Sequence, residues 1–501
     1  MSVQNNRGRI RKPIAAEIVK YINDPVARAD YATSYHTYLT INRAHVLMLQ
    51  KQGIISKDVC REILKATDEI EANPIAPDFS KDEAIEDLYT TLERRLIKMV
   101  GLEVGGQQHT ARSRNDLSAT VLRMDTRDYF LTLCEYFLKL RETMVAVGRK
   151  NLDAVFSGYT HMQPSEPITL AHYMSAVLCG LERDYRRYAA VWSGLNICPL
   201  GAGSMGSTTF PIDRKMTARL LGFDAPTRNS LDSTATRDYA LEITTTLAMA
   251  ADTLSRLAFD LYIWATPEYG YIEVDDSCAV CSSIMPQKKN AFTLEHIKGK
   301  AGHMQGYAMA MYACMKNIIY SHSKDTSVEA TKNLFAAMQE MESDFVLAEL
   351  TLRTMTVNRD TMLDHARRNF CTVTELANYL VHYDGISFRQ AHETIATVVG
   401  NMVDRKLTCA DIDVAAINEV AVKEFGFETK MTQALIDEAL DPRRIAEAKK
   451  PIGGTAKEEV SRQLDEIEAQ IAADRAQCEA RRAQIAAAKA ELAELSAQVV
   501  A

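Results

Sequence analysis

The chain has no apolar run long enough to span a bilayer, and none follows the basic residues Arg7, Arg9, Arg11 and Lys12 near its start. Neither a membrane span nor a secretory leader is therefore expected. Its ten cysteines lack metal-like spacing: Cys278 and Cys281 form one C-x-x-C, but no second pair stands at zinc distance. Free thiols in a reducing cytoplasm are expected, with no metal and no cofactor. Positive charge is not in excess, since 58 Lys and Arg face 66 Asp and Glu for a net −8. That balance argues against nucleic acid or an anionic membrane surface as partner. Alternating β-branched runs are nearly absent, which points to an all-α protein.

What is present is helical periodicity. The 501 residues, 47% of them hydrophobic, suffice for about three domains and a large core. Phe130, Leu133, Phe137, Leu140, Met144 and Val147 step by three and four. The same spacing runs through Ile243, Leu247, Ala250, Leu254, Leu257, Leu261 and Trp264, and through Met338, Met341, Phe345, Ala348 and Leu352. Each is the apolar stripe of a long helix, and repeated long helices predict a central bundle. The expected division is 1–114, a bundle over 115–358, a helical region 359–455 and a terminal helix 456–501. In the last of these, ten of twelve positions at strict 4/3 spacing from Val460 to Val499 are apolar. Such a stripe suits a coiled coil or helical hairpin, or equally one long helix packed on its own chain. Asp474 and Arg481 interrupt the seam and mark where a break or bend would fall.

Chemistry concentrates in Cys281-Ser282-Ser283-Ile284-Met285-Pro286-Gln287-Lys288-Lys289-Asn290, followed by Leu294, Ile297 and Ala301 at helical spacing. A hydroxyl-rich loop feeding a helix presents backbone N–H groups and a lysine to an anion. Four further runs stand apart from it: His109-Thr110-Ala111-Arg112-Ser113-Arg114-Asn115-Asp116; Gly158-Tyr159-Thr160-His161-Met162-Gln163-Pro164; Pro199 to Gly203 with Asp213-Arg214; and Asn229 to Asp232 with Arg237-Asp238. In this order the five runs resemble the signature regions of the fumarase/aspartase superfamily, closest to its argininosuccinate lyase branch. Ala111 stands where that branch has glycine.

The resemblance implies a carbon–nitrogen lyase that removes the proton beside a carboxylate and expels an amine by anti β-elimination, leaving fumarate through an aci-carboxylate intermediate. It also implies residue roles. Ser282 matches the base, a serine that needs N–H donors and a nearby ammonium to be activated. Lys288 matches the lysine that stabilises the aci-carboxylate; of the pair Lys288 and Lys289, only one need act. His161, with Thr160 beside it, matches the second region, and Glu295 the carboxylate that pairs with this histidine in relatives. Arg114 and Asn115 match the site for a succinyl carboxylate, for which a guanidinium fork is suited. Ser113, Ser283 and Asn290 supply polar contacts, Met285 a backbone N–H, and Arg112 is expected in an internal ion pair. Active sites built from three chains of a homotetramer are also implied.

The amine half departs from the branch. Relatives carry Tyr-Asn-Lys-Asp-Leu-Gln-x-x-Lys; counted without gaps from Asn290, this chain reads His322-Ser323-Lys324-Asp325-Thr326-Ser327-Val328-Glu329-Ala330. His322, kept as a substrate-binding position, replaces the Tyr, while Ser327 and Ala330 replace the Gln and Lys that hold arginine's amino-acid end. The N-terminal Trp-Gly-Gly-Arg-Phe run is reduced to Arg7-Gly8-Arg9-Ile10. Lost polar partners lower affinity for a polar group. These departures favour another N-succinyl amine, such as ethylenediamine-N,N'-disuccinate, over the alternative, argininosuccinate. A catalytically inactive, crystallin-like structural protein is the alternative of another class, and adenylosuccinate lyase fits only the general fold.

Overall fold

The structure is a computed structural model that describes residues 12–79 and 85–501; the Arg7–Ile10 run lies outside the described residues. After a short helical turn (Ala16–Ile18) and a π-helical one (Val19–Asn23) come four longer helices: α1 (Asp24–Thr33), α2 (Tyr35–Lys51), α3 (Lys57–Ala72) and α4 (Leu88–Val100). Local chemistry sets their starts. Ser56 Oγ accepts from the Val59 amide at the head of α3, and Asp87 with Thr90 forms a capping box at α4.

The centre is built from long helices: α5 (Arg114–Lys150), α6 (Leu170–Ala190), α7 (Asp238–Trp264), α8 (Phe292–Met315) and α9 (Leu334–Thr354). The three stripes read from the sequence face inward, except that Val147 is only partly covered. Aromatic rings lock the bundle, with Phe137 stacked on Phe345 at 4.5 Å and Phe130 on Tyr188 at 4.1 Å between centroids. Arg123 and Arg127 are also buried here. Each lies over a ring, Arg123 at 4.2 Å from Tyr239 and Arg127 at 4.6 Å from Phe223, and donates to main-chain carbonyls of Leu195 and Leu221.

The few strands are small. A hairpin joins β1 (Val155–Thr160) to β2 (Gln163–Thr169), and among the described residues the other pairs have two residues a side, including β3 (Val280–Cys281) with β4 (Lys289–Asn290). A third region, α10 (Val373–Asp384), α11 (Phe388–Asp404) and α12 (Val414–Phe425), has its own apolar cluster. The last helix, α13 (Lys457–Val500), is unbroken and lies on its own chain. Val460, Leu464, Ile467, Ile471 and Cys478 join the central core, and Leu492 joins the core of the first four helices. Where a break would fall, Asp474 instead accepts from Arg141 at 2.6 Å and Arg481 lies over Trp192, so the helix keeps its seam by pairing its polar members. No helix among the described residues is long and apolar enough to cross a membrane.

Candidate functional site

The head of α5 is tightly bound to its surroundings. Ser113 is its N-cap, with Oγ accepting from the Asn115 amide at 3.2 Å. Asp116, three residues on, is fully buried and accepts from the amides of Ser113, Gly201 and Gly203 at 3.0, 2.8 and 3.0 Å. The first and third motif runs therefore meet on one carboxylate. Gly203 has a φ of +61°, and a Cβ there would stand 2.7 Å from the Ser207 carbonyl oxygen, so glycine is required. Ala111 has φ 59°, the left-handed region where relatives' glycine is unstrained. Among the described residues Arg112 does not make the internal ion pair expected for it. The side chain is buried, but its partners are the Asn42 amide oxygen at 2.8 Å and Tyr89, both neutral.

Arg114 and Asn115 open into a cavity of about 670 Å³, with His322 also in its wall. Arg114 Nη1 donates to Glu86 at 2.8 Å and Asp87 at 3.1 Å, so a ligand carboxylate would be met by its remaining nitrogens. Asn115 donates to the Ser204 carbonyl at 3.1 Å. Burial, then the charges of Arg237 and Lys324, lower the His322 pKa to about 4. The ring is thus neutral near pH 7, and its Nδ1 has no partner.

Thr160 and His161 lie elsewhere, on a separate cavity of about 610 Å³ that also includes Glu166, Tyr173, Asp260 and Tyr269. His161 and Met162 are the two turn residues between β1 and β2, at φ 54° and 58°. Two consecutive left-handed residues define a type I′ turn, normally the province of Asn and Gly. Holding His and Met there is a strained arrangement that puts His161 at an exposed tip. Glu295 does not meet His161 within the chain. It sits exposed in the first turn of α8 and accepts from Tyr262 at 3.1 Å.

The signature loop is the connection between β3 and β4. The Ser282 amide donates to the Lys288 carbonyl, and the Lys288 amide to that of Met285, each at 3.1 Å. Ser282 Oγ accepts from the amides of Ile284 at 3.3 Å and Met285 at 3.0 Å. Two N–H donors on a hydroxyl oxygen favour loss of its proton. The Met285 amide is therefore spent on Ser282 rather than offered to a ligand. The lysines differ: Lys289 pairs with Glu273 at 2.9 Å and Asp276 at 2.7 Å, whereas the exposed Lys288 has no side-chain partner among the described residues. Asn290 pairs in β4 with Val280, and Ser283 is exposed.

The cavity beside Arg114 also holds Glu86, Asp87, Lys324 and Glu329, which motif reading had not singled out as site residues. Lys324 lies inside the His322–Ala330 run. Ser327 and Ala330 do not reach this cavity. Ser327 Oγ donates to the Ser323 carbonyl at 2.9 Å, and Ala330 is buried. The cause is a π-helical turn over Asp325–Glu329, which shifts the register and presents Val328 and Glu329 instead.

Residues 1–306 match the family model described as Lyase, and residues 370–447 that described as Argininosuccinate lyase C-terminal. Argininosuccinate lyase 1 of Shouchella clausii is 42% identical over 460 residues, 92% of this chain and 92% of that one. The argininosuccinate lyase of Methanosarcina mazei is 35% identical, covering 92% and 91%. Among solved structures, EDDS lyase in complex with formate superposes with a TM-score of 0.87 at 30% identity, covering 99% of this chain and 98% of that one. A class II fumarase from Schistosoma mansoni, at 16% identity and a TM-score of 0.65, shares the fold. The chain is a carbon–nitrogen lyase and belongs to the argininosuccinate lyase branch of the fumarase/aspartase superfamily.

Proposed function

We propose that this lyase cleaves argininosuccinate to arginine and fumarate by anti β-elimination, in a cytoplasm whose reducing poise suits its ten free thiols. The departures in the amine half favour an N-succinyl amine other than argininosuccinate, such as ethylenediamine-N,N'-disuccinate, but the likeness to argininosuccinate lyases supports the alternative better. Ser327 and Ala330 do not face the cavity, so their identities say little about the amine. The 42% identity to an argininosuccinate lyase over nearly the whole length of both chains supports arginine. A diamine such as ethylenediamine-N,N'-disuccinate is the second reading, supported by the likeness to EDDS lyase along the whole chain.

The observation that carries the reaction type is the Ser282 hydroxyl under two amides, in the same loop as Lys288, whose ammonium has no partner among the described residues. In the proposed mechanism Ser282 takes the proton beside the succinyl carboxylate. Lys288 balances the charge that develops on that carboxylate, Arg114 and Asn115 hold the other carboxylate, and Asn290 donates to it. His161, exposed on its strained turn, acts at the leaving nitrogen. Glu295 orients it only if the two come from different subunits, because they do not meet in one. A tetramer with each site drawn from three chains reconciles the separate positions of the 114, 161 and 282 regions.

Fumarate release from argininosuccinate and from ethylenediamine-N,N'-disuccinate, measured side by side, decides the substrate. Faster turnover of the second would replace the first reading. Shared sites are tested by mixing Ser282→Ala and His161→Asn proteins after mild dissociation. A minority of wild-type activity should return, and none in demonstrated mixed tetramers would place each site within one chain.

A further inference from the structure

Glu295 is held from one side only. Its helix α8 runs antiparallel to α7, and polar contacts join the two at Thr245 with Tyr312 (3.2 Å), Gln305 with Asp252 (2.9 Å) and Tyr262 with Glu295 (3.1 Å). The Tyr262 hydroxyl donates to Oε1 of the carboxylate, and Oε2 has no partner among the described residues. That bond raises the Tyr262 pKa, so the phenol keeps its proton and stays a donor through the neutral range. Lys298 lies three residues beyond Glu295 on α8, a spacing at which a lysine ordinarily pairs with a glutamate of its own helix. Here it does not. Its ammonium sits over two rings of α7, 4.5 Å from the Tyr262 centroid and 4.9 Å from that of Phe259, and it makes no ion pair among the described residues. The negative face of each ring attracts the cation. The rings hold the lysine back, and a neutral hydroxyl fixes the carboxylate in its place.

An exposed carboxylate fixed through one oxygen, with the other uncommitted, suits a donor arriving from another chain. Resting on the proposed mechanism, in which Glu295 orients His161 of the partner subunit, we propose that Tyr262 is a positioning residue for the elimination, supported by Phe259 and Lys298. Tyr262 does two things. Its hydroxyl sets the direction in which the free oxygen of Glu295 meets the imidazole, and orientation of an acid–base group is part of its rate contribution. Its ring, with that of Phe259, keeps Lys298 from taking that oxygen. None of the three residues lies in a motif run, because each acts through the packing of α7 on α8.

The test measures fumarate release by the full-length protein, from whichever of argininosuccinate and ethylenediamine-N,N'-disuccinate the wild type cleaves faster. Tyr262→Phe keeps the ring and loses the hydroxyl. It should lower kcat roughly three- to thirtyfold, a part of the roughly 10²–10⁴ that an acid–base group supplies, and change KM less than about twofold. Its urea midpoint and assembly size should match wild type. Glu295→Gln should cost at least as much in kcat. In a Glu295→Gln background, Tyr262→Phe should add less than about twofold, since the carboxylate it positions is gone. Tyr262→Leu removes ring and hydroxyl together and should cost more than Tyr262→Phe. Adding Lys298→Met to Tyr262→Leu should recover part of that loss, because no freed lysine is left to pair with Glu295. If Tyr262→Leu does not assemble, the cycle of Tyr262→Phe with Glu295→Gln decides alone. With Glu295→Gln impaired, no loss in Tyr262→Phe, a loss confined to KM, or an equal loss in both backgrounds would overturn the proposal and leave Glu295 its role. A deeper loss on adding Lys298→Met would overturn the part given to Lys298. Unchanged turnover in Glu295→Gln would overturn both the proposal and the mechanism on which it rests.

Discussion

The head of α5 and the loop between β3 and β4 both belong to motif runs, yet the chain treats them oppositely. At the first, most polar groups are committed: Ser113 caps, Asp116 gathers three amides, and one nitrogen of Arg114 is paired twice. At the second, the Ser282 hydroxyl is held by its own loop's amides, and the Lys288 ammonium has no partner among the described residues. A motif match thus joins residues that build the site to residues that are presented by it. Loss of the first kind should cost stability, and loss of the second kind should cost rate.

The sharpest break of this contrast compares Ser282→Ala with Asp116→Ala. The first should lower turnover by roughly 10²–10⁴-fold or more, as removal of a general base does. On an exposed loop it should change stability by less than about 0.5 kcal/mol. The second strands three buried amides and should destabilise by about 3 kcal/mol or more. Turnover and urea unfolding measured on both variants check the pair. Near-normal turnover in Ser282→Ala would remove that serine from the role of base.

Within the loop the two lysines sharpen the point. Lys288→Met should lower kcat by roughly 10²-fold or more, the scale of losing a charge aimed at a developing anion. Lys289→Met breaks only exposed pairs with Glu273 and Asp276 and should stay within a few-fold, since such pairs contribute about 0–1 kcal/mol. Steady-state kinetics of both would reveal an exchange of roles.

A buried carboxylate without partners tests the contrast from the other side. Asp344 is fully buried, neither oxygen is hydrogen-bonded, and burial raises its pKa to about 8, with Lys300 opposing and Glu340 adding. Its folded-state value lies above the ordinary 3.8, so the folded chain holds the extra proton. The stability this group contributes is full below that ordinary value and is lost as pH rises through about 8. Asp344→Asn should flatten the fall in urea midpoint between acid and alkaline pH. Asp30 and Asp125, raised to about 7 and about 6, leave a smaller slope behind. An unchanged slope would mean that Asp344 is ionised in the fold.

The smallest effect is at Ala111. Its left-handed backbone costs an alanine about 1 kcal/mol that a glycine avoids, offset by glycine's greater freedom when unfolded. Ala111→Gly should raise stability by up to about 1 kcal/mol with kcat unchanged. A loss of stability would show that the turn tolerates the Cβ without strain.

The sequence by itself determined the all-α class, the three inward stripes and the positions of the motif runs. A 3.6-residue period and a capping residue are local properties, legible without knowing what a helix packs against. It also marked the loop of Ser282 and the head of α5. Only the tertiary structure decided that Lys289 is paired and Lys288 is not, that Arg112 meets neutral partners, and that Asp474 and Arg481 hold α13 on its own chain without a bend. It decided too that Glu295 lies away from His161, and that the π-helical turn presents Val328 and Glu329 where a gapless count had looked to Ser327 and Ala330. Each of these depends on which side chain a distant element brings within hydrogen-bond reach, or on a one-residue shift of helical register. Neither leaves a trace in composition or spacing.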